Sequence, residues 1–114
     1  AIDQVISGGY DSSLSLVQDQ AYFWREEKKT GDFAPYNYDP KKRMPSVMHE
    51  YKQFKENKAV YVCKKDLLLD TGCRLGGSIG YVLMSSLDSV DIDTEDDLLL
   101  CEELYKLRTQ DQKL

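Results

Sequence analysis

"SVDIDTEDDLLL", Ser89–Leu100, sets two aspartates, Asp91 and Asp93, on either side of one isoleucine, with a helical pattern directly behind them. Side chains two apart on a strand share a face, about 6.6 Å from one another along the chain. A strand over Ser89–Asp93 therefore projects Asp91 and Asp93 together and turns Ile92 into a core. Ligands of open α/β sheets bind at the carboxyl ends of strands. Mg²⁺ is held there by one or two carboxylates together with substrate phosphates. The competing reading is that the acids only favour the positive end of the next helix, an effect of about 0.3–1 kcal/mol. Glu95, Asp96 and Asp97 fit that second role alone. A D-x-D pair is a weak motif by itself. Haloacid-dehalogenase-type phosphatases place theirs ahead of a large catalytic domain, and little sequence follows Asp93. Nothing else in the chain supports a glycosyltransferase.

The helix is predicted from about Glu95 to Arg108. Thr94 stands as its N-cap and Asp97 three residues on completes a capping box. Leu98, Cys101, Tyr105 and Arg108 recur at helical spacing, as do Leu100, Leu104 and Leu107. Working back, "IGYVLM" (Ile79–Met84) and "KAVYVCK" (Lys58–Lys64) read as strands, and "KDLLLDTG" as a short helix ended by Gly72. "YDSSLSLVQD" alternates, placing Leu14 and Leu16 on one side of a strand, after a helix end stopped by Gly8-Gly9. "AYFWRE" (Ala21–Glu26) is an aromatic strand, and the glycine of "EEKKTGDF" makes a hairpin-like arm. Ala34–Asn57 reads as one long irregular stretch, a length typical of binding loops. The whole is α/β, with an unfinished sheet.

The 114 residues correspond to one domain at most. No apolar run reaches the ~20 residues that span a bilayer, so no membrane partner is expected. A net charge of −5 argues against a nucleic-acid surface, and the basic clusters Lys41–Arg43 and Tyr51–Lys58 read as solvated faces. Cys63, Cys73 and Cys101 are odd in number and form no C-x-x-C pair, which argues against a disulfide framework. Cys63, in a strand pattern, and Cys101, on a helical face, read as packing residues, and reduced thiols point to the cytoplasm. The single histidine, His49, excludes multi-histidine metal sites, and no G-x-S-x-G elbow is present.

"GYDSSLSLVQD", "YFWR", "PYNYDPKKR", "ENKAVYV", "TGCRLGGSIGYVLM" and "SVDIDTEDDL" follow one another in fixed order. That series, from about Ile2 to Leu104, resembles the carboxyl-terminal half of the acylneuraminate cytidylyltransferases, the CMP-sialic acid synthetases. "NYDP" and "SVDIDTEDD" are its most specific pieces. The resemblance implies part of a nucleotide-diphospho-sugar-transferase (Rossmann-like) α/β fold, with an extended dimerisation arm and sugar-site loop over about residues 20–57. Residues 58–108 then supply the sheet edge and final helix. It implies transfer of CMP from CTP to a sialic-acid-type nonulosonic acid, with Mg²⁺, in a homodimer or with a complementing chain. Asp91 and Asp93 would be the metal-binding acids. Tyr61, Asn57, Arg74 and Leu75 would meet the sugar acid. The compartment implied is cytoplasmic, or nuclear or organellar in a eukaryote.

The chain departs from the family pattern in three places. No P-A-R-G-G-S-K-like loop to cradle CTP occurs within these residues, so the chain alone is expected to be inactive. Ser46-Val47-Met48-His49 stands where the family reads R-R-Q-D. A charged hydrogen bond contributes about 1.5–3 kcal/mol, so losing two weakens binding by about 100-fold or more. Lys58 replaces the glycine of E-N-G, adding a side chain where the backbone was open. These departures favour an alternative, a non-catalytic degenerate homologue serving as a structural or dimerising subunit. The cut sheet predicts exposed apolar surface and self-association.

Overall fold

A computed structural model describes residues 1–45 and 48–112, with side chains to residue 110. The elements follow the order α1 (Ile2–Ile6), β1 (Ser12–Gln18), β2 (Trp24–Glu26), β3 (Phe33–Pro35), β4 (Phe54–Cys63), α2 (Lys65–Thr71), β5 (Ile79–Leu83) and α3 (Glu95–Gln112). Single 3-10 turns occupy Pro40–Lys42 and Leu87–Ser89. The chain forms two compact units, one of residues 1–17 with 55–114 and the other of residues 18–54.

The sheet of the first unit is mixed, in the order β4-β1-β5. β1 and β5 are parallel, Ser12 opposite Ile79 and Leu16 opposite Leu83. β4 runs against β1, since Lys64 N–H donates to Asp11 O at 3.0 Å and Val60 N–H to Ser15 Oγ at 2.9 Å. An α/β fold with a mixed sheet is thus present.

β1 is more deeply buried than its alternation predicts. Leu14 and Val17 belong to the small apolar core with Val5, yet Ser12, Ser13 and Ser15 are the most enclosed side chains. Each hydroxyl is satisfied, which is the condition for burying it. Ser12 donates to Gly76 O at 2.9 Å, Ser13 to Gln4 Oε1, and Ser15 to Asn57 Oδ1 at 2.5 Å. Ser13 and Ser15 therefore share with Val17 a second interior face of a central strand, rather than a solvent face, and Ser12 lies on the Leu14 side.

The edges differ. Ile79, Tyr81 and Leu83 of β5 are exposed, as are Leu98, Leu99, Leu100 and Leu107 of α3. α2 ends as expected, with Gly72 left-handed at φ 70° and its N–H on Leu68 O.

The predicted strand Ser89–Asp93 is not formed. Asp88 N–H donates to Ser85 O and Ser89 N–H to Ser86 O, both at 3.2 Å, and Ser89 Oγ donates to Ser85 O at 2.6 Å. Serine and aspartate side chains that bond to nearby backbone offer the chain a turn in place of a ladder. Val90–Asp93 then runs on without strand pairing into α3.

In the second unit, β2 and β3 form the hairpin, Trp24 opposite Pro35 and Glu26 opposite Phe33. Gly31 takes φ 75° in its turn. The aromatic strand is shorter than predicted, and part of the stretch read as irregular is ordered as β3 and the start of β4. Trp24 stacks on Phe33 with ring centroids 5.0 Å apart, and Arg25 lies over the Tyr36 ring at 4.0 Å. His49 stacks on Tyr51, and its two nitrogens meet the Gln20 amide at 2.8 Å and the Tyr22 hydroxyl at 2.5 Å. The replacement read at Ser46-Val47 lies outside the described residues. Met48 beside it is exposed.

Candidate functional site

β4 carries three of the residues singled out by sequence, Asn57, Lys58 and Tyr61. Asn57 is buried and saturated with partners. Its carbonyl accepts from Ser15 Oγ and from Ala59 N–H at 3.3 Å. Its amide donates to Ser89 Oγ at 3.1 Å and to Met84 Sδ at 3.2 Å. The bond to the backbone two residues on is an Asx turn, and Lys58 sits at its centre with φ 61°. Among the described residues, Lys58 is the only non-glycine with positive φ. That conformation costs a residue with a Cβ about 1–2 kcal/mol, so the backbone keeps a glycine's shape around a lysine. The charge of Lys58 reaches the acidic segment, its Nζ lying 4.0 Å from Asp91 Oδ2 with both side chains exposed.

Tyr61 and Arg74 are brought together. The Arg74 guanidinium lies over the Tyr61 ring, 3.7 Å from its centroid. At an exposed site such a contact contributes about 0.5–1 kcal/mol and, more usefully, holds a mobile cation in one place. Arg74 is delivered by the turn after α2. There Gly72 reverses the chain, and Thr71 Oγ1 accepts from Cys73 N–H at 3.1 Å. Beyond Leu75, Gly77 takes φ 59° against the Asp11 side chain, a position that leaves no room for a Cβ. Arg74, Leu75, Cys73, Gly72 and Leu68 line an open depression of about 450 Å³. An oriented guanidinium beside an apolar wall suits a small carboxylate ligand. Tyr61 also donates to Glu56 Oε2 at 3.3 Å.

Asp91 and Asp93 are both exposed, on a connecting segment rather than on a strand tip. Asp93 N–H and Thr94 N–H each donate to Asp97 Oδ2 at 3.1 Å, while Thr94 Oγ1 accepts from Asp97 N–H at 3.1 Å. The capping box is therefore formed as read. Asp97 is held below the ordinary carboxylate range first by the Asp93 N–H and then by the Thr94 hydroxyl. Its carboxylate is occupied in holding the turn, whereas the side chains of Asp91 and Asp93 are exposed, Asp91 with Lys58 beside it. Among the described residues no cluster of three or more His, Cys, Asp or Glu side chains could hold a metal alone. A pair of hard oxygen donors does match Mg²⁺ in kind, the remaining ligands then coming from phosphate and water.

Sequence reasoning missed the framework under this site. Asp11 accepts from Ser78 N–H at 2.9 Å and from Lys64 Nζ at 3.1 Å, and these contacts, Ser78 first, lower its pKa. Arg108 pairs with Asp88, lowering that carboxyl as well. The partners lie far apart in sequence, so only the repeated small polar residues of "DSSLS" and "SSLDS" hinted at them.

No family model matches the chain. It is 33% identical over 105 residues to N-acylneuraminate cytidylyltransferase A of Danio rerio, an alignment covering 90% of this chain and 24% of that relative. The chain thus spans about a quarter of the length of the curated relative it matches. No helix among the described residues is long and apolar enough to cross a membrane.

Proposed function

The chain is a relative of the acylneuraminate cytidylyltransferases, and from that premise we propose that it forms part of an enzyme transferring CMP from CTP to a sialic-acid-type nonulosonic acid. The observation that carries this reading is the Tyr61–Arg74 contact, whose arginine also lines a small open depression. The guanidinium, steadied on the ring, meets the sugar-acid carboxylate through two parallel N–H donors, a geometry lysine cannot supply. Leu75 offers an apolar contact beside it. Asn57 acts from beneath, fixing β4 against Ser89, and so belongs to the support of the sugar site. Asp91 and Asp93 would hold Mg²⁺, which when bound neutralises phosphate charge.

The CTP cradle is supplied from outside these residues. The 18–54 unit, with Trp24, Phe33 and Tyr36 exposed, serves as the dimerisation arm. The exposed side chains of β5 and α3 fit burial against further protein, in the same chain or another. The compartment proposed is the cytoplasm, or a nucleus or organelle in a eukaryote.

Pyrophosphate release by the full-length protein, supplied with CTP, Mg²⁺ and a nonulosonic acid, tests the reading. Arg74→Ala is expected to raise KM for the sugar acid by about 10–100-fold through lost charged hydrogen bonds, leaving KM for CTP unchanged. Asp91→Asn and Asp93→Asn are expected to depress kcat with little change in sugar affinity. Absence of release with every nonulosonic acid offered sinks the enzymatic reading. It leaves the second one, a non-catalytic homologue acting as a dimerising subunit.

A further inference from the structure

We propose that Lys58 is a built-in counter-cation for the acidic pair, holding down its affinity for free divalent metal. The inference rests on the metal reading of Asp91 and Asp93 above, but concerns a residue that reading does not use. Two independent features converge on Lys58. Its backbone takes a conformation suited to glycine, held by the Asx turn of Asn57 with Ala59 N–H. Its ammonium reaches within 4.0 Å of Asp91 Oδ2.

The same strand end is tied to the same segment by Asn57 Nδ2 on Ser89 Oγ. Adjacent residues of β4 therefore meet alternate residues of the acidic segment, one by a neutral hydrogen bond and one by charge. The neutral tie is part-buried and fixes where Lys58 starts. The charged tie is exposed and free to move. A cation arriving at Asp91 meets a like charge already there, and both charges act through water, so the penalty is modest and sensitive to salt. A dianionic or trianionic phosphate brought to the same place reverses the sign, since Lys58 then adds to its attraction. Metal entering with phosphate is thus favoured over metal entering alone.

Mn²⁺ binding to the full-length protein, followed by electron paramagnetic resonance, tests this without reference to activity. Lys58→Met keeps the Cβ and removes the charge, and is expected to tighten Mn²⁺ binding about three- to tenfold at low ionic strength. The gain should shrink in high salt. Lys58→Gly should match it in metal affinity and also raise thermal stability, which separates charge from backbone strain. Lys58→Arg should bind Mn²⁺ as the parent does. Unchanged Mn²⁺ binding in Lys58→Met, at whatever affinity the parent shows, overturns the proposal. Asp91→Asn is the control for the metal reading itself: if it leaves Mn²⁺ binding as tight as in the parent, that reading falls, whatever Lys58→Met does.

Discussion

Strand β1 and the acidic segment from Asp91 to Thr94 are both ordered by polar side chains, but in opposite surroundings. In β1 the hydroxyls of Ser12, Ser13 and Ser15 are enclosed, each with a protein partner. In the acidic segment the ordering carboxylate is that of Asp97, and Asp91 and Asp93 stay in water. Burial makes a polar tie costly to break, because the partner left behind has no water to turn to. Exposure makes it easy to break and leaves neighbouring charge available to a ligand. The first arrangement builds a scaffold; the second suits a site.

The largest expected effect tests whether β1 carries the stability of the sheet. Leu14→Ala removes a side chain from a core that otherwise consists of Val5 and Val17 among the described residues. A loss of about 2–5 kcal/mol is expected, a large part of the whole for a domain of this size. Leu83→Ala on the exposed face of β5 is expected to change stability by less than about 0.5 kcal/mol. Urea unfolding midpoints compare the two. Equal losses would show that β5 is covered in solution, and the contrast between centre and edge would then belong to the isolated chain only.

Asn57 ties β1 to Ser89, two residues ahead of the acidic segment, and its removal gives the next largest effect. Asn57→Ala strips partners from Ser15 and Ser89 and opens the turn around Lys58. The expected loss is about 1–3 kcal/mol. Asn57→Asp, which keeps the acceptor for Ser15 and Ala59 but not the donor for Ser89, should lose less if the turn at Lys58 dominates. Amide exchange at Ala59 reports the turn directly.

What the sequence disclosed, and what it did not, follows the same division. Elements whose signals are local were readable: Gly72 stops α2, the Thr94/Asp97 box starts α3, and Gly31 turns the hairpin. The proximity of Tyr61, Arg74 and Leu75 was accessible only through resemblance to a family. Nothing in their spacing places an arginine over a ring formed by a residue thirteen positions earlier. The strand expected at Ser89–Asp93 failed because alternation of polar and apolar residues is common to a strand and to a serine-aspartate turn. The inward direction of the β1 serines was invisible for a related reason. A hydroxyl reads as solvent-facing until its partner is known, and Asn57 and Gly76 are distant in sequence.

The smallest of the losses expected from a polar contact lies at the start of α3. Thr94→Ala should cost about 0.5–2 kcal/mol, the range for loss of an N-cap hydroxyl. Asp97 adds a pH dependence of definite sign. Its pKa in the folded chain lies below the ordinary 3.8, owing first to Asp93 N–H and then to Thr94. A carboxyl so depressed stabilises the fold above its unfolded pKa, and the contribution fades as pH falls through the folded value. The cap should therefore be intact from neutrality down to about pH 4 and open in stronger acid. Asp11 and Asp88 are also lowered and act in the same direction, so global unfolding cannot isolate the cap. The amide protons of Asp93 and Thr94 can, because both point at Asp97. Their chemical shifts should share an acid-dependent component, and Asp97→Asn should remove that shared component while leaving the shifts of Ser78, which follow Asp11, unaltered.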